Sequence, residues 1–144
     1  MTAFVLDASV TMAWLLGDAK PADRGYAEAV LDALRSPEIQ ARVPMTWGLE
    51  IGNVIARAEA KGLIAEAQSE AFLEMLAGTA VHADDATFGH ALTDTLHLAR
   101  RYGLSSYDAS YLELALRAGL PVATLDADLA KAARKAGVKR FTGK

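Results

Sequence analysis

The sequence predicts a helix-rich α/β fold: a three-layer α/β/α sandwich around a short, mostly parallel central sheet. Three observations lead there. Short apolar runs such as Ala3–Leu6 and Leu120–Leu125 have the length and flanks of buried strands. Longer segments between them repeat apolar residues every three or four positions and end at glycine or proline signals. Strands separated by helices imply parallel pairing through right-handed crossovers, with helices on both faces. The 144 residues, 52% of them apolar, suit one domain spanning 1–144 with its own core.

Ala3–Leu6 is too short for a helix and reads as the first strand, followed by helical spacing through Val10, Trp14 and Leu15. Pro21–Leu34 is a helix with Tyr26, Val30, Leu31 and Leu34 on its apolar side, stopped by Ser36-Pro37 because a residue before proline avoids the helical region. Arg42-Val43 is a weak strand before Pro44. Met45–Lys61 is a helix with Trp47, Ile51, Val54, Ile55 and Ala58 on one face, ended by Lys61-Gly62. Glu66–Leu76 is the next helix, and the two form a hairpin. In it, Trp47 and Phe72 serve the core or support an apolar groove for a partner. Thr79–His82 is a short strand, and one helix capped by Asp84 or Asp85 runs to about Tyr102, closed by Gly103. Ser105 and Ser106 introduce the helix Tyr107–Ala118, which Gly119 ends. In the strand Leu120–Leu125 the proline sits near the start, where a missing N–H is tolerated. Asp126–Ala136 is helical, and Gly137 precedes a last short strand around Lys139–Phe141.

The net charge of −3 conceals an asymmetry: the last 14 residues carry six bases (Lys131, Arg134, Lys135, Lys139, Arg140, Lys144) and no acid. They read as a solvated terminal helix or as an anion-binding edge on an acidic protein. The absence of cysteine removes disulfides and thiolate metal sites and fits a reducing, cytoplasmic setting. Asp7 interrupts the N-terminal apolar stretch and no base precedes it, so neither an export signal nor a membrane span is expected.

In an open α/β sheet, ligands bind beyond the carboxyl ends of the strands. Asp7 and Asp126 each stand just past such an end, although each would also serve as a helix N-cap. Glu50 lies about 40° from Val54 and about 60° from Trp47 around its helix, at the border of the buried face, where a paired or snorkelling residue also sits. Asp108 shares a stripe with Tyr111, Leu112 and Ala115, and its first-turn place equally suits the macrodipole or a Ser105-x-x-Asp108 capping box. Gathered at one end of a sheet, four carboxylates repel unless some are protonated or a cation neutralises them. Ligands that are all carboxylate suit Mg²⁺ or Mn²⁺ rather than zinc. Mg²⁺ usually keeps several waters, one of which can attack a phosphodiester.

At these residues the chain resembles a PIN-domain ribonuclease, specifically a VapC-type toxin of a toxin–antitoxin system. The resemblance rests on "FVLDASV", on "PMTWGLEIGNVIARAEAKGLI" and on "LARRYGLSSYDASYLELALRAGLPVATLDADLAKAARKAGV", and covers almost the whole chain. In the last block, Tyr-Asp-Ala-x-Tyr, a Leu-Pro strand and Thr-x-Asp-x-x-Leu follow one another. The resemblance implies catalytic acids at Asp7, Glu50, Asp108 and Asp126, and small hydroxyls at Ser9 and Thr124 that steady them. Asp128 is a possible extra acid whose spacing also fits a first helical turn. It further implies a divalent-metal endoribonuclease with Mg²⁺ or Mn²⁺, a homodimer, an RNA substrate and a cognate antitoxin lying over the acidic groove.

The expected mechanism has Asp7, Asp108 and Asp126 as metal ligands, Glu50 orienting or deprotonating the attacking water, and Arg100, Arg101 and the C-terminal bases holding flanking phosphates. The alternative is a non-catalytic nucleic-acid or protein-binding module on the same fold, which would hold RNA in chelator and leave it intact. A phosphatase of the haloacid-dehalogenase type wants a second Asp where Ser9 stands, and a receiver-like phosphoacceptor wants a lysine after the strand 120–125. His90, Asp94 and His97 share a face of the helix Thr87–Tyr102, but histidines seven apart sit about 10 Å apart along the axis, so a surface stripe accounts for them.

Overall fold

The fold is organised on β1 (Thr2–Leu6), which has a neighbour on each side. In the computed structural model, which describes residues 2–143, β1 pairs in parallel with β2 (Ile39–Val43) and with β4 (Val122–Ala123), and β2 pairs in parallel with β3 (Val81–Ala83). Among the described residues the sheet order is β3-β2-β1-β4, parallel throughout. Register sets Phe4 opposite Ala41 and Leu6 opposite Ala123.

The side chains of β1 alternate as a strand covered on both faces must. Phe4 and Leu6 pack on one face with Ala27, Val30 and Leu34 of α2 (Pro21–Leu34). Val5 packs on the other with Leu112 and Ala115 of α7 (Ser106–Ala118) and with Leu129 and Ala133 of α8 (Ala127–Lys135). These are the three expected layers. A further cluster joins Ala8 and Met12 of α1 (Ala8–Leu15), Ile51 and Ile55 of α3 (Trp47–Ala60) and Phe72 of α4 (Glu66–Ala77). Phe72 thus folds α4 back as the expected hairpin, in a core role. Trp47, half-buried, packs against all three clusters.

Four local expectations are corrected. The helix foreseen from Asp84 or Asp85 to Tyr102 is two, α5 (Thr87–His90) and α6 (Asp94–Tyr102). Thr93 breaks it at φ −121°, ψ −98°, and its N–H and its hydroxyl both donate to the His90 carbonyl, at 3.2 and 3.4 Å. The strand foreseen at Lys139–Phe141 is a single parallel bridge between Arg140 and Val122. The run Leu120–Leu125 keeps only Val122–Ala123 as strand, the two residues that pair with Val5 and Leu6 of β1. Arg42-Val43 belongs to a strand of five residues, since pairing on both sides overrides weak propensity.

The foreseen stops hold at the ends of α6 and α7, where Gly103 and Gly119 take φ of 64° and 67°. Among the described residues no helix is long and apolar enough to cross a membrane. Because all four strands run the same way, the carboxyl ends of β1, β2 and β4 meet at one edge of the sheet. The segments leaving that edge carry Asp7, Glu50 and Asp126.

Candidate active site

Asp7 is only 3% exposed, directly after β1. It occupies the N-cap position of α1, yet its side chain does not cap that helix. Its Oδ2 instead accepts hydrogen bonds from Ser9 Oγ (2.6 Å) and Thr124 Oγ1 (2.7 Å). The same two hydroxyls accept from the backbone N–H groups of Leu125 and Asp126, both at 2.9 Å. Each hydroxyl has one hydrogen, and each gives it to Asp7. This clamp ties the end of β1 to the loop after β4. Burial pushes the Asp7 carboxyl above its ordinary range; the two hydroxyls pull it down and Asp126 pushes it further up.

Asp126 takes the capping role foreseen for it and also bears electrostatically on its acidic neighbours. Its Oδ1 caps α8 by accepting from Leu129 N–H at 2.9 Å, and its charge acts on Asp7 and Asp108. Asp108 sits half-buried in the first turn of α7, where its N–H donates to Ser105 Oγ at 3.1 Å. That is the Ser105 half of the foreseen capping box. Burial first, then repulsion from Asp126 and Asp7, raises the Asp108 carboxyl to about 6. Exposed Asp128, in the first turn of α8, adds to that repulsion from the margin.

Glu50 lies in the first turn of α3, half-buried as its helical angle implied. Burial raises its carboxyl to about 7; the Tyr111 phenol opposes the shift, while Asp7 and Asp108 add to it. Tyr111, fully buried on α7, donates its Oη hydrogen to Glu50 Oε1 at 3.1 Å across 61 residues of sequence. Sequence reasoning placed Tyr111 on the Asp108 stripe but gave it no function. The available signal was a phenol one helical turn after Asp108, on an otherwise apolar face. Beside Glu50, Thr46, Leu49, Asn53 and Tyr107 line an open groove of about 460 Å³.

The four acids therefore share one electrostatic neighbourhood at the sheet edge. Among the described residues no lysine, arginine or histidine forms an ion pair with any of them. Nor do any three His, Asp or Glu side chains among the described residues already converge on a point where one ion would sit. Asp7, Asp108 and Asp126 thus act on one another electrostatically without forming a metal cage. The donor chemistry fits a hard divalent cation: oxygen ligands only, with negative charge that no ion pair among the described residues offsets. Mg²⁺ binds through one or two carboxylates, retained waters and substrate phosphate, so a finished cage is not required.

The PIN domain family matches residues 4–135. The chain belongs to the PIN domain family. PIN domains are generally nucleases, and the nucleases among them usually use divalent metals. The PIN fold also appears in the crystal structure of PAE2754 from Pyrobaculum aerophilum. That protein is 21% identical in sequence and superposes with a TM-score of 0.64, over 91% of this chain and 86% of its own. Among curated proteins none matches.

The stripe His90, Asp94 and His97 does not lie on one helix, since His90 ends α5 and Asp94 begins α6. His90 Nδ1 is 2.8 Å from Asp94 Oδ2, and all three residues line one surface recess.

Proposed function

We propose that this PIN domain is a divalent-metal-dependent endoribonuclease acting as the toxin of a type II toxin–antitoxin pair. One observation carries the nuclease reading: four carboxylates from separate segments crowd one edge of the sheet, and none of them is ion-paired among the described residues. Asp7, Asp108 and Asp126 would hold Mg²⁺ or Mn²⁺, directly or through water. When bound, the ion supplies charge stabilisation at the phosphate and a more acidic water. Glu50, steadied by Tyr111 beside the open groove, orients the attacking water and accepts its proton. Ser9 and Thr124 fix Asp7 in place.

The toxin reading rests on the sequence resemblance and is supported by apolar surface beside the groove. Leu49 lines the groove, and Met45 N–H donates to Thr87 Oγ1, which holds α5 against the start of α3. Phe88 is 89% exposed and Leu92 84% exposed, more than a free surface favours and suited to covering by an antitoxin or a second copy.

The test is to incubate RNA with the protein in Mg²⁺, in Mn²⁺ and in chelator, beside Asp7→Asn, and to sequence the RNA ends. The expected result is discrete cleavage in metal, none in chelator, and at least about a hundredfold loss in the folded variant. RNA retained but left intact under every condition would establish the binding module instead.

A further inference from the structure

The basic residues near the C-terminus divide into separate groups in space. Arg140 lies over the Tyr26 ring, 3.8 Å from its centroid, and Arg134 lines a mainly apolar recess with Arg140. Lys131 and Lys135 face elsewhere. With Arg101, Tyr102, Gly103 and Asp128 they line a recess of about 220 Å³ between the end of α6 and α8.

Three features distinguish this recess from ordinary solvated bases. Lys131 and Lys135 stand one turn apart on α8, where like charges repel, and Arg101 comes from a second helix to join them. Among the described residues no carboxylate lies within 4 Å of any of the three, although Asp128 shares the recess. Asp128, which lines the recess, stands two residues after Asp126 at the start of α8, so the recess adjoins the acidic site. A concentrated positive site beside a concentrated negative one suits a strand of repeating phosphates. One phosphate goes to the acids with their cation, and a neighbour goes to the bases. Arg101, 5.7 Å from the Tyr102 ring centroid, has an aromatic face beside it.

We propose that the recess formed by Arg101, Lys131 and Lys135 binds a backbone phosphate of single-stranded RNA next to the scissile one. It sets the position of the strand on the acids without reading bases. The proposal rests on the nuclease reading for its substrate.

The test measures binding of a labelled 12-nucleotide single-stranded RNA to the Asp7→Asn protein across a salt series, by fluorescence anisotropy. The comparison is the same protein carrying Arg101→Gln, Lys131→Gln and Lys135→Gln. Each lost phosphate contact lowers the slope of log K against log salt by about 0.7, so a fall of about 0.7 is expected for the one phosphate the recess holds. Lys20→Gln with Lys61→Gln, at the caps of α2 and α3, should leave the slope unchanged. An unchanged slope in the triple variant, an equal fall in the control pair, or no binding at all overturns the proposal. Cleavage of the same RNA by the Asp7 protein is scored separately. Cleavage with an indifferent slope removes the recess and leaves the nuclease; recess-dependent binding without cleavage does the reverse.

Discussion

The chain buries carboxylates in two places and treats them oppositely. Glu113, on α7, is 4% exposed, about as buried as Asp7. Its carboxylate accepts from Arg117 Nε at 2.7 Å, and the same guanidinium grips Asp84 through two nitrogens at 3.1 and 2.6 Å. Arg117 holds the Asp84 carboxyl below its ordinary range, and its own guanidinium is held above its usual value. At the other cluster every resolved carboxyl shift is upward. One helix serves both: α7 carries Asp108 and Tyr111 near its start, then Glu113 and Arg117. Burial alone therefore does not set the state of an acid. The distinguishing feature is an acid left without its counter-charge.

The strongest way to break this contrast in stability is to strand the paired cluster. Arg117→Met should destabilise the fold by about 3 kcal/mol, because buried Glu113 is left with only the His90 ring, 3.9 Å away, beside it. Chemical denaturation measures it, and a loss under about 1 kcal/mol would mean that the pair is screened. Supplying the missing cation at the other cluster should act in the opposite direction. Mg²⁺ at a hundredfold over its dissociation constant should stabilise the protein by about 2.7 kcal/mol at pH 8, and Asp7→Asn should remove most of that gain. Thermal melts with and without the ion read this directly.

Protons should replace the cation in part. Glu50 and Asp108 are raised from 4.5 and 3.8 to about 7 and about 6, so their contribution is fully present below the ordinary values and lost as pH rises through the raised ones. Asp84 runs the other way: its contribution is present above 3.8 and lost as pH falls through its lowered value. The metal-free protein should therefore melt about 2–4 °C higher at pH 5 than at pH 8, a small gain because water screens the half-exposed acids. Glu50→Gln with Asp108→Asn should flatten the profile. The smallest effect is expected from Tyr111→Phe, about 1 kcal/mol for the lost hydrogen bond to Glu50. Cleavage should fall less than in Asp7→Asn.

The local parts of this architecture were legible in the sequence. The apolar strand ending on Asp7, the border angle of Glu50 and the stripe carrying Asp108 follow from periodicities of two and 3.6. Whether Asp7 capped its helix was not legible, because the competing hydroxyl, Thr124, is 117 residues away. Distance in sequence likewise concealed the Tyr111–Glu50 bond, the Arg117 grip on Asp84 and the meeting of Arg101 with Lys131. The break at Thr93 was missed because the periodicity continues through it. The bridge at Arg140 was overread as a strand because glycine and apolar spacing mark a turn and a buried residue, not a ladder.

The clamp around Asp7 has a consequence for how damage spreads. Ser9 and Thr124 each fasten a side chain and a loop with a single oxygen. Losing one hydroxyl there, as in Ser9→Ala, removes a bond to the carboxylate and the acceptor of Leu125 N–H in the same event, leaving Thr124 alone to hold both. Small hydroxyls at these two positions therefore act as rivets between distant stretches of chain, and wear at one loosens both.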